Sequence, residues 1–334
     1  MNHFCTYSDQ GYVARLLCLH ASLVAQRTPF VLHVLCFDEK SAAVVDAQHQ
    51  PSLQAIRLSE VLQADPAYAA LREQRSKVEF YFTSTPVLVR YCFSRAPAAA
   101  QMTYLDADLY FFGPPSEVFA AQAEASVAIV PHRFPPRLRH LEKNGIYNVG
   151  WVSFRRDADA LACLEWWRER CLEWCHDFAS DGRYADQGYL DQFPEKFRGV
   201  RALDDPGINA APWNIDQARI GSSNRRLLID GRPLLFFHFQ GLRELMPGWF
   251  DPGFLSYSST MTQALRDLVY LPYLRKLVPL QRELEATHGI APQRGYHRLN
   301  PGRSWRARCD RFVIRRLLPL YRRLRVQLVH CAPE

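Results

Sequence analysis

Apolar runs and helix-period segments alternate along the first half of the chain. His3 to Thr6 reads as a short strand, and Leu16, Leu17, Leu19, Leu23 and Val24 recur behind it at helical spacing. Phe30 to Phe37 is apolar almost throughout, which predicts a strand covered on both faces, as in a parallel sheet. A helix over Lys40–Gln48 and a short strand at Ile56–Leu58 follow. Strand–helix–strand–helix order predicts an α/β fold, with ligands collecting at the carboxyl ends of the strands.

Residues 61–80 are polar and helical in pattern. Phe80–Pro86 reads as a turn-rich approach to a helix over Val87–Phe93, with Thr85 as N-cap and Pro86 in the first turn. Arg90 then lies one turn inside, either a surface arginine or a phosphate ligand. Met102 to Phe112 is an apolar strand that stops on Asp106 and Asp108. On extended chain these two side chains share one side, so they read as a solvent-facing pair, either solvated acids or ligands for a hard divalent cation. A helix is expected near Ser116 and a strand over Ala125–Pro131, followed by an irregular basic stretch, His132 to Lys143, as a mobile or acceptor-facing loop. Gly145–Phe154 is a strand carrying Asn148 and Gly150, where an amide and a glycine imply close approach of a ligand or a bulge.

Asp159–His176 has a strong helix pattern whose Trp167 and Trp174 read as core. Asp186–Asp191 opens a short helix, and Asp204–Asn214 is rich in turn residues and amides. Arg226–Asp230 and Pro233–Phe239 read as a hairpin with Gly231 in the turn. His238 sits at the end of that second strand, either a satisfied core histidine or a neighbour of the Asp pair. One imidazole and two carboxylates form a reasonable donor set for Mn²⁺.

The length of 334 residues allows one large domain or two smaller ones. The formal charge of +7 changes the picture more, because residues 1–302 balance to zero and 303–334 carry nine Arg against Asp310 and Glu334. Trp305, Phe312, Val313, Leu317, Leu320, Tyr321, Leu324 and Leu328 fall between those arginines at helical spacing, with a kink expected at Pro319. This reads as a neutral domain with a basic amphipathic tail, suited to an anionic membrane surface or to packing on the domain. No nucleic-acid module accompanies it, so no nucleic acid is expected as a partner. The nine cysteines include no C-x-x-C pair. Cys171 and Cys175 share a helical face but His176 turns away from it, so reduced cysteines are expected rather than zinc. With no signal-peptide order and no bilayer-length apolar run, the chain is expected to be cytoplasmic, at most peripheral on the inner face of the cytoplasmic membrane.

Taken in order, the motifs over residues 1–250 resemble those of GT-A-fold nucleotide-sugar glycosyltransferases, closest to glycosyltransferase family 8 and related bacterial transferases. Ser8-Asp9-Gln10-Gly11-Tyr12 is similar to the family's strand-end Asp-x-x-Tyr, which implies that Asp9 contacts base or ribose and Tyr12 stacks on the base. Asp106-Ala107-Asp108 matches its D-x-D, implying Mn²⁺ (or Mg²⁺) on a donor diphosphate. Tyr147-Asn148-Val149-Gly150 resembles the strand whose Asn contacts the donor sugar, and Asp186-Gln187 the pair beside the anomeric carbon. His238-Phe239-Gln240-Gly241 resembles its His-x-x-Gly, implying His238 as third metal ligand and Gly241 beside the phosphates. The family's Lys-Pro-Trp is absent, and Arg243 is the candidate for the missing phosphate contact.

The resemblance implies a GT-A (Rossmann-like), mostly parallel sheet flanked by helices over residues 1–250, with a helical extension at 251–302 before the basic tail. The implied activity is transfer of a sugar, with retention, from a nucleoside-diphosphate donor (uridine by family) to a glycan or lipid-linked acceptor, as in surface-polysaccharide or lipopolysaccharide synthesis. Gln187 is an amide and a weak nucleophile, which favours front-face attack, with Gln187 as an electrostatic neighbour and Asp186 holding sugar hydroxyls. A sugar nucleotidyltransferase would carry a Gly-rich basic loop after the first strand, whereas this loop is acidic and aromatic. A non-catalytic sugar-nucleotide or glycan-binding protein is the other alternative, and it would be expected to have lost one of the metal acids.

Overall fold

The computed structural model describes residues 1–216, 218–224, 226–295 and 328–331. The elements run β1 (Asn2–Ser8), α1 (Val13–Ala25), β2 (Phe30–Cys36), α2 (Glu39–Ala47), β3 (Leu53–Arg57), α3 (Leu58–Ala64), α4 (Pro66–Ala69), α5 (Lys77–Arg95), β4 (Gln101–Leu105), β5 (Leu109–Phe111), α6 (Pro115–Gln122), β6 (Val127–Pro131), β7 (Tyr147–Arg155), α7 (Ala158–Glu173) and β8 (Val200–Ala202). The central sheet has the order β3-β2-β1-β4-β7-β6-β8. Only β7 runs against its neighbours; the pairs β3–β2, β2–β1, β1–β4 and β6–β8 are parallel. This is the mostly parallel α/β sheet that the sequence predicts. All seven residues of β2 are buried, as its unbroken apolar run requires of a strand covered on both faces.

Each face of the sheet has its own apolar layer. On one, α5 and α7 contribute Val87, Leu88, Cys92, Trp167 and Cys171. On the other, α1, α2 and α6 contribute Leu16, Leu19, Val44 and Val118. The later hairpin is β9 (Ile220–Ser223), β10 (Arg226–Ile229) and β11 (Arg232–Pro233), and β12 (Phe236–His238) pairs antiparallel with β5. Beyond them, β13 (Arg243–Met246), β14 (Trp249–Asp251) and β15 (Val329–His330) form a small sheet. The helix Leu271–His288 packs Tyr273, Leu274 and Leu277 into the same cluster as Phe237 and Phe239 of the β12 segment.

The structure corrects the expected helices at two places. Val87–Phe93 is not a separate helix capped by Thr85. A single helix, α5, starts at Ser76, whose hydroxyl and the carboxylate of Glu79 form a capping box, and it runs through Pro86. The interior proline deletes one N–H, while Thr83 and Ser84 hydroxyls bond back to the carbonyls of Glu79 and Phe80 at 2.7 Å each. The second correction is at the C-terminus, where Val329–His330 is a strand against β14. The rest of the expected amphipathic helix, residues 303–327, lies outside the described residues.

Candidate functional site

Four chain segments meet at the carboxyl edge of the sheet. The parallel strands β1 and β4 end there at Ser8 and Leu105. Because β7 is antiparallel, its beginning, Asn148, reaches the same edge. His238 ends β12 opposite Leu109. Backbone hydrogen bonds lock the set: Asp106 N–H donates to Gly150 O (3.1 Å), Phe239 N–H to Asp108 O (3.0 Å) and His238 N–H to Ala210 O (2.8 Å).

Asp106 and Asp108 do not stand on extended chain at a solvent-facing strand end. They lie in the turn between β4 and β5, where Leu109 N–H donates to Asp106 O at 3.2 Å. Asp108 is 6% exposed. The turn, rather than strand alternation, brings the carboxylates together on His238. Its Nε2 is 3.0 Å from Asp108 Oδ1 and 3.5 Å from Asp106 Oδ2. Yet this nitrogen is buried and is not counted in a hydrogen bond to either. Ligand atoms from the three side chains lie within 4.8 Å of one another. Cis donors about 2.1 Å from an octahedral centre sit about 3 Å apart, so the trio fits a hard divalent cation, and no other group of three or more such side chains comes together among the described residues.

The tautomer of His238 is set from the other side. Asn148 Oδ1 accepts from Gly150 N–H at 3.1 Å, which fixes the orientation of the amide. His238 Nδ1 faces that same oxygen at 3.2 Å and therefore carries a proton, leaving Nε2 for a proton or a metal. The relay continues from Asn148 Nδ2 to Gln187 Oε1 (3.2 Å) and from Gln187 Nε2 to Asn144 O (2.8 Å). Of the two readings of Gly150, the structure shows the bulge. The β6–β7 register shifts between Ile129 and Val130, which makes a bulge there. An added Cβ at Gly150 would also lie 2.6 Å from Asn148 Oδ1 and 2.9 Å from His238 Nδ1.

Electrostatics separate the acids. Burial raises Asp106 to about 6, helped by Asp108 and opposed by His238 and a 2.9 Å hydrogen bond from Tyr104. Burial also opposes ionisation of Asp108, but His238 and Arg15 outweigh it and hold this carboxyl below its ordinary value. Burial would depress His238, and the two carboxylates reverse this and raise it. A metal must displace the Nε2 proton. Mn²⁺ affinity is therefore expected to strengthen as pH rises from 6 to 8, measured by titration calorimetry in buffers of matched ionic strength; a flat profile would remove His238 from the donor set.

Asp186 is 4% exposed, and burial followed by the charge of Asp106 raises it to about 7, with Thr85 opposing. A raised carboxyl makes the folded state bind more protons than the unfolded chain between pH 4 and 7. Stability from this group is therefore full below pH 4 and is lost as pH climbs to 7. The shift from 3.8 to about 7 is worth at most ~4 kcal/mol. Asp186→Asn is expected to raise the melting temperature of the ligand-free protein by several degrees at pH 8 and to leave it unchanged at pH 4.

The remaining expected residues divide. Asp9 is buried and already engaged: Oδ1 accepts from the N–H groups of Gly11 and Tyr12, while Oδ2 meets Lys77 Nζ at 2.8 Å and the Tyr81 hydroxyl at 3.1 Å. Tyr12 is 41% exposed, with the Arg15 guanidinium 4.7 Å from its ring centroid. Gly241 takes φ +76°, and the exposed Arg243 acts electrostatically on Tyr12 and Tyr257. Arg90 is not brought to the cluster; it pairs with Glu165 at 2.9 Å and Asp65 at 3.9 Å, on the α5–α7 side. Sequence reasoning missed Arg15, Lys77, Tyr81 and Tyr104. The alternation of Tyr104 with Asp106 was the one local signal available for any of them. Cys171 and Cys175 are buried, and His176 is held by Glu79 at 2.8 Å, so no metal group forms there.

Asp106, Asn148, Asp186, Gln187 and His238 all line one cavity of about 370 Å³. No family model matches the chain. Among solved structures it is similar to the galactosyltransferase LgtC bound to donor and acceptor sugar analogues (15% identity, 85% of this chain and 99% of that one, TM-score 0.48). It is also similar to mouse xyloside xylosyltransferase 1 (12%, 72% and 98%, TM-score 0.46) and to the apo glycosyltransferase GlyE of Streptococcus pneumoniae TIGR4 (13%, 89% and 66%, TM-score 0.48). Sequence relatedness is closer. The uncharacterized Bacillus subtilis (strain 168) protein YfnF is 32% identical over 250 residues, 72% of this chain and 81% of YfnF. Its fellow YfnD is 30% identical over 280 residues, 82% of this chain and 88% of YfnD. The chain belongs to the protein family of YfnF and YfnD.

Proposed function

We propose that this protein is a GT-A-type, metal-dependent glycosyltransferase that moves a sugar from a nucleoside-diphosphate donor, a UDP-sugar, to a hydroxyl of a glycan or lipid-linked acceptor. The observation that carries the reading is the clustering of Asp106, Asp108 and His238, of which Asp106 and His238 line one cavity with Asn148, Asp186 and Gln187. A divalent ion on the three would neutralise the departing diphosphate as a Lewis acid. Gly241 and Arg243 flank the phosphates, and Asp9 and Tyr12 the nucleoside. Asp186, raised by burial and by the charge of Asp106, is the carboxyl we assign to the donor-sugar hydroxyls. Gln187 is held by Asn148 and by the Asn144 carbonyl, so its amide dipole is fixed beside the reacting carbon.

The reaction we infer is front-face displacement. The anomeric C–O bond to phosphate breaks, the bond to the acceptor oxygen forms on the same face, and the acceptor proton passes to the departing phosphate oxygen. An amide at Gln187 suits this route better than a covalent glycosyl-enzyme, which needs a carboxylate nucleophile. We place the work at the inner face of the cytoplasmic membrane, supported by the basic 303–334 segment. No helix among the described residues is long and apolar enough to cross a membrane. Thermal-shift screening of nucleotide sugars with Mn²⁺ tests the donor class: stabilisation by UDP-sugars over GDP-, CMP- and dTDP-sugars is expected, and no response to any donor would sink the reading. Inversion in the product anomer by NMR would sink the route, and indifference to anionic liposomes at low salt would sink the membrane contact.

A further inference from the structure

The residues assigned to the two ends of the donor come from distant parts of the chain. Asp9 and Tyr12 lie between β1 and α1, while Gly241 and Arg243 follow β12. One side chain, Arg15, joins them. Its Nη2 donates to the carbonyl of Leu242 at 2.7 Å, and its guanidinium lies 4.7 Å from the centroid of the Tyr12 ring. Arg15 thereby completes a hydrogen-bonded path across the site. Phe239 N–H donates to Asp108 O (3.0 Å) and Leu242 N–H to Phe239 O (3.1 Å). Arg15 N–H donates to Tyr12 O (2.9 Å), and Tyr12 N–H to Asp9 O (3.0 Å). These bonds join main-chain atoms and survive substitution, so the Arg15 side chain is the replaceable link in the path from the Asp108 turn to the nucleoside loop.

Both anchors of the link are well packed. Arg15 stands in the first turn of α1, whose Leu16, Leu19 and Leu23 are buried against the sheet. Leu242 is buried and follows Gly241. Tyr12 and Arg15 are three positions apart at the start of the helix, the spacing at which side chains meet. The guanidinium therefore lies over the Tyr12 ring, and the ring stays exposed. Among the described residues Arg15 forms no ion pair, and Asp108 acts on it by charge from beyond contact. A guanidinium suits this place because it stacks flat on a ring and donates in its own plane, whereas an ammonium is a point charge.

Resting on the donor site proposed above, we infer that Arg15 is a positioning residue: it sets the Tyr12 ring and the Gly241–Arg243 loop as one unit, so that the base and the diphosphate of a nucleotide are engaged together. A site held in this way loses less freedom when the nucleotide arrives, which strengthens binding of the joined ligand over that of its separate halves. The positive charge also favours an anion on the loop that Arg15 holds.

The test titrates the full chain at saturating Mn²⁺ with three probes: uridine, pyrophosphate and UDP. Arg15→Met, which keeps the bulk and removes the charge and the N–H donors, is expected to weaken UDP at least tenfold and to weaken uridine and pyrophosphate each severalfold. Tyr12→Ala, by contrast, is expected to weaken uridine and to leave pyrophosphate at the parental affinity. Arg15→Lys keeps the charge and loses the planar stack, so it is expected to fold like the parent and to weaken UDP about threefold. An arginine that served stability alone would lower the melting temperature and leave the three affinities unchanged. Parental affinity for UDP in either Arg15 variant, or a loss in Arg15→Met confined to one of the two half-ligands, overturns the assignment. If UDP itself fails to bind the parent protein, it is the donor reading that falls.

Discussion

Asp108→Asn is expected to lower sugar transfer about a thousandfold, a loss of ~4 kcal/mol in the transition state. The substitution keeps size and shape and removes the charge. Asp108 is the acid that the cluster keeps ionised, with Nε2 of His238 3.0 Å away and Arg15 adding to the field. Its main chain is held independently by the Phe239 N–H to Asp108 O bond, so the turn survives the change. Circular dichroism should match the parent while Mn²⁺ binding by electron paramagnetic resonance disappears. A variant that still bound Mn²⁺ at parental affinity would show that the trio is an ion pair and not a metal site. Asp106→Asn is expected to act in the same direction but less strongly, because burial and Asp108 already work against ionisation of Asp106.

Gly150→Ala is expected to weaken Mn²⁺ binding tenfold to a hundredfold without touching a ligand. A methyl group at this position would lie 2.6 Å from Asn148 Oδ1 and 2.9 Å from His238 Nδ1, closer than real contacts allow. One of the two side chains must move. Either movement breaks the hydrogen bond that keeps the Nδ1 proton of His238 in place and its Nε2 available. The fold itself should lose only about 1–3 kcal/mol, the ordinary cost of overpacking. Titration calorimetry with Mn²⁺, alongside urea unfolding, separates the two effects. Unchanged affinity would mean that the relay through Asn148 does not position the ligand.

The sheet was legible because its signals are local. An unbroken apolar run such as Phe30–Cys36 leaves one sensible place for a strand, and both faces of it are indeed covered. Helix α5 was misread because Pro86 is a strong local signal for a helix start, and here the Ser76–Glu79 capping box and buried packing override it. The Asp pair was read as sharing one side of a strand, whereas a turn brings the acids together. Arg90 shows the converse: a well-motivated position on a helix pattern, claimed in the fold by Glu165 on a neighbouring helix. His132 was legible only as the start of an irregular basic loop, and Trp213 only as part of a turn-rich stretch. They are 81 positions apart by number, and the Asn214 bond to His132 O and the contact of the two rings bring them together. Spacing along the chain can suggest ligands that share a turn or strand, but it cannot suggest walls assembled by loops.

In the proposed reaction Asp106, Asp108 and His238 hold a divalent ion on a nucleotide-sugar donor. The most direct measurement is UDP release from UDP-sugars by the full-length chain, with Mn²⁺ and after EDTA treatment. Release is expected with at least one UDP-sugar; it should require Mn²⁺, stop with EDTA, return on adding Mn²⁺ back, and be lost in Asp108→Asn. Release at an undiminished rate in EDTA, or in Asp108→Asn, would contradict it.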